Sequence, residues 1–387
     1  EKGPWKTVTF TPSYHDHTIF FDDDGRVYII WGGGKLRIAE LKPDLSGIKE
    51  GTERIFIENA SAPSGDNVGL PAEGSQLFKV NGKYYLFNIT WPKGGMRTVV
   101  IHRADHINGP WEGRIALQDK GVAQGGLIDT PDGRWFAYLF RDNGAVGRIP
   151  YLVPVKWEEG WPVLGIDGKV PERLELPASK GLIPGIVASD EFTRKKKEAA
   201  LSLVWQWNHN PDNSLWSVSE RKGYLRLKTG RVDADFLSAR NTLTQRTVGP
   251  VCSGTTSVDV SNMKEGDFAG LALLQKKYGF VGVKYENGVK KIVMVSAQAD
   301  KPEEVESLPL NQTVIFLKAE CDFTDLKDIA SFYYSLDGKK WIKIGSQLKM
   351  AYTLPHFMGY RFGLFNYATK AAGGYVDFDY FRISDKK

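Results

Sequence analysis

The sequence predicts an all-β protein in which a β-propeller precedes a lectin-like β-sandwich. Three similar turns, Asp24-Gly25, Asn81-Gly82 and Asp132-Gly133, are each followed by aromatic and β-branched residues. Asn-Gly and Asp-Gly between alternating apolar runs indicate hairpins, because both central residues of a type I′ turn favour positive φ. The three glycines lie 57 and 51 residues apart (82 − 25 and 133 − 82). That spacing fits one four-stranded propeller blade and is too long for a single hairpin.

The composition supports this fold class and excludes several functions. Hydrophobic residues make up 42% of the 387 residues and aromatic residues 12%, and there are 41 glycines. These proportions fit a turn-rich chain with substantial cores, and helical periodicity is nearly absent. The net charge of +5 is dispersed, and the densest basic run, Arg194-Lys195-Lys196-Lys197, lies among loop-like residues. We therefore expect no nucleic-acid partner, and no apolar run is long enough to span a membrane. Cys252 and Cys321 form no disulfide framework, although they could pair with each other.

Strand-like segments divide the first half into three blade-sized units, which cover residues 14–66, 71–118 and 122–165. A connector with several Pro and Gly residues follows them. From Ser189 onward, short alternating strands over about 200 residues are typical of a β-sandwich. The expected boundaries are 1–165 for the propeller, 166–188 for the connector and 189–387 for the sandwich.

Polar residues stand at one register position of the three repeats. Asp16, Glu73 and Gln124 each lie nine residues before the turn glycine of their unit. Equivalent positions of successive blades lie at one radius around a propeller axis, so these side chains should converge. Two carboxyl groups at such a point can cleave a glycosidic bond, one as proton donor and the other tuning that donor or activating water. The alternative is that Asp16 and Glu73 are ordinary polar residues at strand ends.

Several ordered motifs resemble glycoside hydrolase family 43, the five-bladed β-propeller β-xylosidases and α-L-arabinofuranosidases. The segment from His15-Asp16-His17-Thr18 to Asp24-Gly25-Arg26 resembles the motif of the family's second carboxylate, and Pro71-Ala72-Glu73-Gly74 resembles its proton-donor motif. Gly147-Arg148 resembles the segment that carries a sugar-binding arginine. Residues 205–211 and 240–246 are similar to stretches of the family's C-terminal β-sandwich. The resemblance implies a five-bladed propeller followed by a lectin-like sandwich.

The resemblance also implies roles for individual residues. Glu73 would be the general acid, and Asp16 would modulate and orient it. Arg148 would hydrogen-bond the terminal sugar, and Phe357 matches a sandwich aromatic residue that closes the pocket in some members. Gln124 stands where the family has a histidine that is often tied to a central metal, so a structural calcium would lack that ligand here. The sequence leaves the metal ligands unassigned.

Two tryptophans are candidates for stacking against sugar rings. Trp31 and Trp91 follow the segments of Asp16 and Glu73. Aromatic rings supply such platforms, but they also fill the cores of blades. Both interpretations stay open for each of the two residues.

The family's general base is an aspartate of the first blade, and the resemblance finds no counterpart in this chain. Three blades take about 160 residues, so a five-bladed ring would need roughly 100 more residues upstream. We therefore expect that the N-terminal blades are not in this chain, and that a missing N-terminal segment or a second chain supplies the general-base Asp. Asp22, Asp23 and Asp24 lie at a turn tip and are interpreted as solvated turn residues.

The function implied is that of an inverting, exo-acting glycoside hydrolase. It would release α-L-arabinofuranosyl or β-D-xylosyl residues from plant cell-wall polysaccharides or oligosaccharides, and the chemistry requires no cofactor. This substrate class implies a secreted or periplasmic bacterial protein, although the chain, which opens at Glu1, contains no signal peptide. The alternatives are a non-catalytic carbohydrate-binding protein with the same propeller and sandwich, and a structural or protein-interaction propeller.

Overall fold

A computed structural model of the chain describes residues 9, 13–176, 185–196, 198–299, 301–353 and 358–386. Phe357 and residues 177–184 of the expected connector lie outside the described residues. The chain forms two compact units, one of Glu1–Asp142 with Ile149–Leu176 and the other of Asn143–Arg148 with Pro177–Lys387. Within the described ranges, no helix has the length and the apolar character that crossing a membrane would require.

The first unit contains three four-stranded antiparallel sheets, each formed by consecutive strands. This is the blade arrangement that the spacing of the turns predicts. The strands are β1 (Thr18–Phe21), β2 (Val27–Gly33), β3 (Lys35–Glu40), β4 (Arg54–Ile57), β5 (Val68–Val80), β6 (Lys83–Pro92), β7 (Thr98–Ala104), β8 (Glu112–Leu117), β9 (Ala123–Asp129), β10 (Trp135–Asp142), β11 (Arg148–Glu158) and β12 (Trp161–Leu164).

The three predicted hairpin turns form, but only one has type I′ geometry. Asn81 and Gly82 have φ angles of 50° and 79°, as a two-residue type I′ loop requires. At the other two turns the aspartate before the glycine is not left-handed, whereas Gly25 and Gly133 have φ angles of 82° and 81°. The N–H of Asp22 donates to the carbonyl of Arg26, so this loop holds three residues. The type I′ prediction was wrong there because a three-residue loop uses a type I turn closed by a left-handed glycine.

Neighbouring sheets of the first unit pack through their apolar faces. Phe20 and Ile30 of the first sheet share a core with Leu86 of the second, and Phe87 of the second shares another with Leu139 of the third. Seven consecutive residues of β6, from 84 to 90, are consequently buried. The second sheet is therefore covered on both sides, which fixes strands β5 and β6 where Glu73 lies.

The second unit is a sandwich of two seven-stranded antiparallel sheets, ordered β13-β16-β25-β18-β19-β20-β21 and β14-β15-β26-β17-β22-β23-β24. Side chains from both sheets, such as Leu271, Leu317 and Phe332, form one core between them. The predicted sandwich is confirmed. Its strands are β13 (Gln206–Trp207), β14 (Trp216–Ser217), β15 (Leu225–Lys228), β16 (Leu243–Arg246), β17 (Val251–Asp259), β18 (Asp267–Leu274), β19 (Gly279–Glu286), β20 (Val289–Ser296), β21 (Glu303–Pro309), β22 (Val314–Asp322), β23 (Ile329–Ser335), β24 (Ile342–Lys349), β25 (Arg361–Ala368) and β26 (Tyr375–Ser384).

A short segment between β10 and β11, residues 143–148, belongs to the second unit. Ala145 is fully buried in the core of that unit. Its N–H donates to Asp328 Oδ2 at 3.1 Å, and its carbonyl accepts from the N–H of Tyr360 at 3.0 Å. The sequence alone does not predict that these six residues belong to the second unit, because the segment is too short to show a pattern of its own. The boundaries at 165 and 189 stay predictions.

Candidate active site

Glu73 lies in an irregular part of β5. The pairing with β6 changes register on both sides of Glu73, between Leu70 and Glu73 and again between Glu73 and Gln76. The next residue, Gly74, is buried and has a φ of 64°. Bulges of this kind re-aim a side chain relative to the sheet. The side chain of Glu73 is 21% exposed, which leaves its carboxylate accessible while its strand is held.

Asp16 and His15 approach Glu73 from the segment before β1. Asp16 has a φ of 45°, which few residues other than glycine adopt without support. The N–H of Gly32 donates to the carbonyl of His15 at 3.2 Å and ties this segment to β2. His15 Nε2 lies 3.1 Å from Glu73 Oε2. One side-chain atom from each of His15, Asp16 and Glu73 lies within 4.8 Å of the other two.

The charges of this cluster favour a protonated imidazole. The hydrogen bond to the Glu73 carboxylate raises the pKa of His15 above its usual value, partial burial acts in the opposite direction, and the charge of Asp16 adds to the increase. His15 therefore keeps its proton to a higher pH than a free histidine does. The proton lies at hydrogen-bonding distance from Glu73, so the pair holds a proton beside the carboxylate.

Gln124 reaches the same place from the third sheet. Its φ is 52°, and the pairing of β9 with β10 shifts register at this point, so Gln124 is the extra residue of a bulge. Its side chain lies against Gly74: a Cβ added to Gly74 would be 2.5 Å from Gln124 Nε2. The structure thus brings together the three residues that share a register position, and Gln124 packs beside the residue that follows Glu73.

Further contacts hold the backbone around Glu73. Asn88 Nδ2 donates to the carbonyl of Glu73 at 3.2 Å and to Ser75 Oγ at 2.9 Å. Gly34 donates its N–H to the carbonyl of Ala72 at 2.8 Å, which links β5 to the first sheet. Both sides of Glu73 are therefore fixed by hydrogen bonds from neighbouring strands.

The cluster does not suit a calcium ion. Calcium takes six to eight oxygen ligands from carboxylates, carbonyls and water. His15, Asp16 and Glu73 offer two carboxylates and one imidazole nitrogen, and Gln124 packs on Gly74. These residues do not form the oxygen cage that calcium requires.

The remaining predicted site residues lie in different surroundings. Trp31 is 9% exposed and contacts Tyr14 edge-on at 4.7 Å within a core cluster, which favours the core interpretation for this residue. Trp91 is 44% exposed, and the guanidinium of Arg97 lies 5.4 Å from its ring centre. Arg148 is exposed at the start of β11, in the segment that belongs to the second unit. Phe357 lies outside the described residues.

Two features of this region were not expected from the sequence. His15 received no role, although it directly precedes Asp16 in the motif, and that adjacency was the available signal.

Asp22 was expected to be a solvated turn residue, but it is 8% exposed. It accepts hydrogen bonds from Lys79 Nζ at 2.8 Å and from the hydroxyl of Tyr84 at 2.7 Å. The expectation was wrong because two side chains of the second sheet supply buried partners for the carboxylate.

Comparisons with known proteins match both units of the chain to known families. Residues 1–162 match the family described as glycosyl hydrolases family 43, and residues 189–384 match the β-xylosidase C-terminal concanavalin A-like domain. A β-xylosidase of Formosa agariphila is 28% identical over 98% of this chain and 72% of its own length. A putative β-xylosidase of Xylanibacter ruminicola is 32% identical over 90% of this chain and 65% of its own length.

A solved structure extends the similarity to the whole chain. The protein named bifunctional GH43-CE from Bacteroides eggerthii is 70% identical, with a TM-score of 0.97 over 100% of this chain. The chain spans about half of the length of that protein, 50%. The two family matches together cover both units, and this solved structure is 70% identical to the chain. These findings assign the chain to one family. The chain belongs to glycosyl hydrolase family 43 and carries the family's C-terminal concanavalin A-like domain.

Proposed function

We propose that this chain carries the proton donor of an inverting, exo-acting glycoside hydrolase. The enzyme releases α-L-arabinofuranosyl or β-D-xylosyl residues from plant cell-wall polysaccharides or oligosaccharides. The observation that carries the proposal is the accessible Glu73 carboxylate, with Asp16 and His15 within 4.8 Å of it. The names of the relatives, β-xylosidase and non-reducing end α-L-arabinofuranosidase, support both sugar types.

Glu73 protonates the oxygen of the leaving group, and its neighbours hold it for that purpose. A general acid must carry its proton at the moment of bond cleavage, and its position relative to the oxygen decides the rate. Asp16 and His15 hold the Glu73 side chain in place: one ligand atom of each lies within 4.8 Å of it, and His15 Nε2 lies 3.1 Å from Oε2. Arg148 donates hydrogen bonds to hydroxyls of the terminal sugar, Trp91 stacks on a sugar ring, and Gln124 lines the site. Phe357 would close the pocket, as the resemblance implies.

Asp16 is too close to Glu73 to be the general base. In an inverting enzyme the acid and the base are about 6.5–9.5 Å apart, because a water molecule must fit between the base and the sugar. The ligand atoms of Asp16 and Glu73 lie within 4.8 Å of each other. A third carboxylate is therefore needed, and we propose that an aspartate of a preceding segment or of a second chain supplies it.

Exposed apolar residues on the outer face of the first sheet favour the proposal that a further segment or chain packs there. Ile19, Phe21 and Ile55 lie on this face and are 45%, 66% and 47% exposed. Large apolar side chains that share a sheet face are seldom left in water, and open blade faces invite pairing with more sheet. Two additional blades that pack on the open faces would complete a five-bladed ring and bring the missing aspartate to the axis.

The remaining parts of the proposal follow from the substrate. The chemistry needs no cofactor, and a structural calcium would need ligands other than His15, Asp16 and Glu73. Cell-wall polysaccharides lie outside the cell, so we propose a secreted or periplasmic bacterial protein. The partners are arabinose- or xylose-containing glycans.

The test replaces Glu73 by Gln and compares two kinds of substrate. Hydrolysis of natural oligosaccharides should fall by about 10²–10⁴-fold, the usual contribution of a general acid. Aryl glycosides with good leaving groups should lose much less, because their departure needs little protonation. Glu53→Gln, at an exposed glutamate paired with Arg37, is the matched control and should leave both rates unchanged.

Equal loss on both substrates would argue against Glu73 as the proton donor. If the unaltered protein hydrolyses neither substrate but binds xylo- or arabino-oligosaccharides in calorimetric titration, the non-catalytic carbohydrate-binding alternative would replace the proposal.

A further inference from the structure

Two arginines of the sandwich unit stand directly opposite each other. Strands β16 and β25 pair antiparallel, and Arg246 is the partner of Arg361 in their register. The Cβ atoms of directly opposed residues are about 4.5–5.5 Å apart, and like charges in such a pair destabilise a sheet. Arg246 is exposed, and Arg361 is partly buried. The arrangement is therefore unfavourable unless a negative group compensates it.

The described part of the chain supplies no such group. Arg361 uses Nη1 to donate to Gln206 Oε1 and, at 3.4 Å, to Thr244 Oγ1. Both acceptors are neutral, and Nε and Nη2 of Arg361 have no described partner. Two other arginines of this unit are paired with acids: Arg226 Nε lies 2.7 Å from Asp377 Oδ1, and Arg382 Nε lies 2.8 Å from Glu191 Oε1.

The pKa of Arg361 is lowered, as expected for a guanidinium without a carboxylate partner. Burial, and next the positive charge of Arg246, lower the pKa of Arg361 to about 10. Both causes penalise the charged form, and no carboxylate contributes in the opposite direction. Arg226, beside Asp377, shows the contrary: hydrogen bonds to that carboxylate raise its pKa. Arg361 is the more desolvated of the two, and only Arg226 has a carboxylate that offsets its desolvation.

We propose that Arg246 and Arg361 form a binding site for the carboxylate of an acidic sugar, a hexuronic acid residue carried on a glycan. Nε and Nη2 of Arg361, for which the described residues offer no acceptor, form one edge of a planar fork that matches the two oxygens of a carboxylate. Gln206 and Thr244, which flank Nη1, can hydrogen-bond sugar hydroxyls. β13, which carries Gln206, is the last strand of its sheet, so the site lies near a sheet edge.

The choice of a sugar acid rests on the proposed function, whereas the anion site itself does not. An enzyme that acts on cell-wall polysaccharides meets neutral and acidic sugars on the same chains. A site of this kind would favour substrates whose backbone carries uronic acid substituents. The test measures binding without hydrolysis, so a failure of the proposed activity would leave its result unaffected.

Calorimetric titrations of the purified protein with D-glucuronate, D-glucose and acetate test the site. We expect glucuronate to bind, glucose not to bind, and acetate to bind more weakly than glucuronate because it lacks the hydroxyls. Arg361→Gln and Arg246→Gln should each weaken glucuronate binding by roughly tenfold or more, as expected for charge-assisted hydrogen bonds. Arg382→Gln, at an arginine paired with Glu191, is the control and should bind glucuronate like the unaltered protein.

Thermal unfolding gives a second readout, in which a substitution is expected to raise the Tm and not to lower it. Arg246→Gln should raise the Tm of the ligand-free protein, because it removes a like-charge pair, and should abolish the increase in Tm that glucuronate produces. A lower Tm of this exposed variant, or glucuronate binding that survives both substitutions, would overturn the site. Acetate that binds as tightly as glucuronate would overturn its assignment to a sugar.

Discussion

The contact between Gly74 and Gln124 allows the positioning of Glu73 to be tested without touching a carboxylate. We consider Gly74→Ala, with Gly82→Ala as the matched control. Gly74 and Gly82 have φ angles of 64° and 79°, so alanine is strained at both. Each strain costs about 1–2 kcal/mol. The surroundings differ, because a Cβ on Gly82 meets nothing within 4 Å, whereas a Cβ on Gly74 would lie 2.5 Å from Gln124 Nε2 and 3.0 Å from Cδ and Cγ.

The magnitude of the expected effect follows from these distances. Ordinary contact between carbon and nitrogen begins near 3.4 Å, so the end of Gln124 and the backbone at Gly74 must separate by about 1 Å. Displacement of a catalytic group by about 1 Å can cost roughly 10²-fold in rate. We therefore expect both variants to lose about 1–2 kcal/mol from strain, Gly74→Ala to lose somewhat more, and only Gly74→Ala to lose about 10²-fold in kcat/KM.

Urea unfolding measures the stability difference, and initial rates on an aryl arabinofuranoside or xyloside measure kcat/KM. The comparison is made at a temperature where both variants are fully folded, so that lost activity does not report unfolded protein. If Gly74→Ala and Gly82→Ala had equal activity, the packing of Gln124 on Gly74 would not position Glu73. Gln124 would then share a register position with Glu73 without holding it in place.

Two further predictions concern single side chains. Arg148→Lys should impair turnover nearly as much as Arg148→Ala, because a point charge does not replace a two-pronged donor; unaltered kinetics with lysine would contradict a sugar-binding role. Glu73→Gln should lower the pKa of His15 toward its usual value of 6.5, because it removes the carboxylate that raises that pKa. An NMR titration of the His15 ring measures the change, Asp132→Asn at an exposed turn is the control, and an unchanged titration would show that the bond to Glu73 does not form in solution.

The strands and their order follow from the sequence to a large degree. Alternating and aromatic runs bounded by Asn-Gly and Asp-Gly turns are local signals, and they predicted the three four-stranded units of the first half. Repetition made the site predictable as well, since residues at one register of similar units must lie at similar places. For this reason Asp16, Glu73 and Gln124 could be grouped from their distance to a glycine alone.

The tertiary structure decided the features that depend on contacts between distant segments. Only in the folded chain does His15 Nε2 meet Glu73 Oε2, across 58 positions of sequence. In the same way Asp22 is buried by Lys79 and Tyr84, and residues 143–148 join the second unit. No local pattern encodes such partners, because a polar residue at a strand end looks the same whether water or a buried side chain satisfies it.

The carboxylate pair of Asp16 and Glu73 could be predicted from the sequence, whereas the arginine pair of Arg246 and Arg361 could not. By itself the sequence determined the all-β class, the two units and the pair of carboxylates, because periodicity and repetition are written along the chain. Only the tertiary structure placed Arg246 opposite Arg361, for which the described residues supply no carboxylate partner. Strand register sets that pairing, and register is fixed by the burial of whole sheet faces, to which the two arginines contribute nothing favourable.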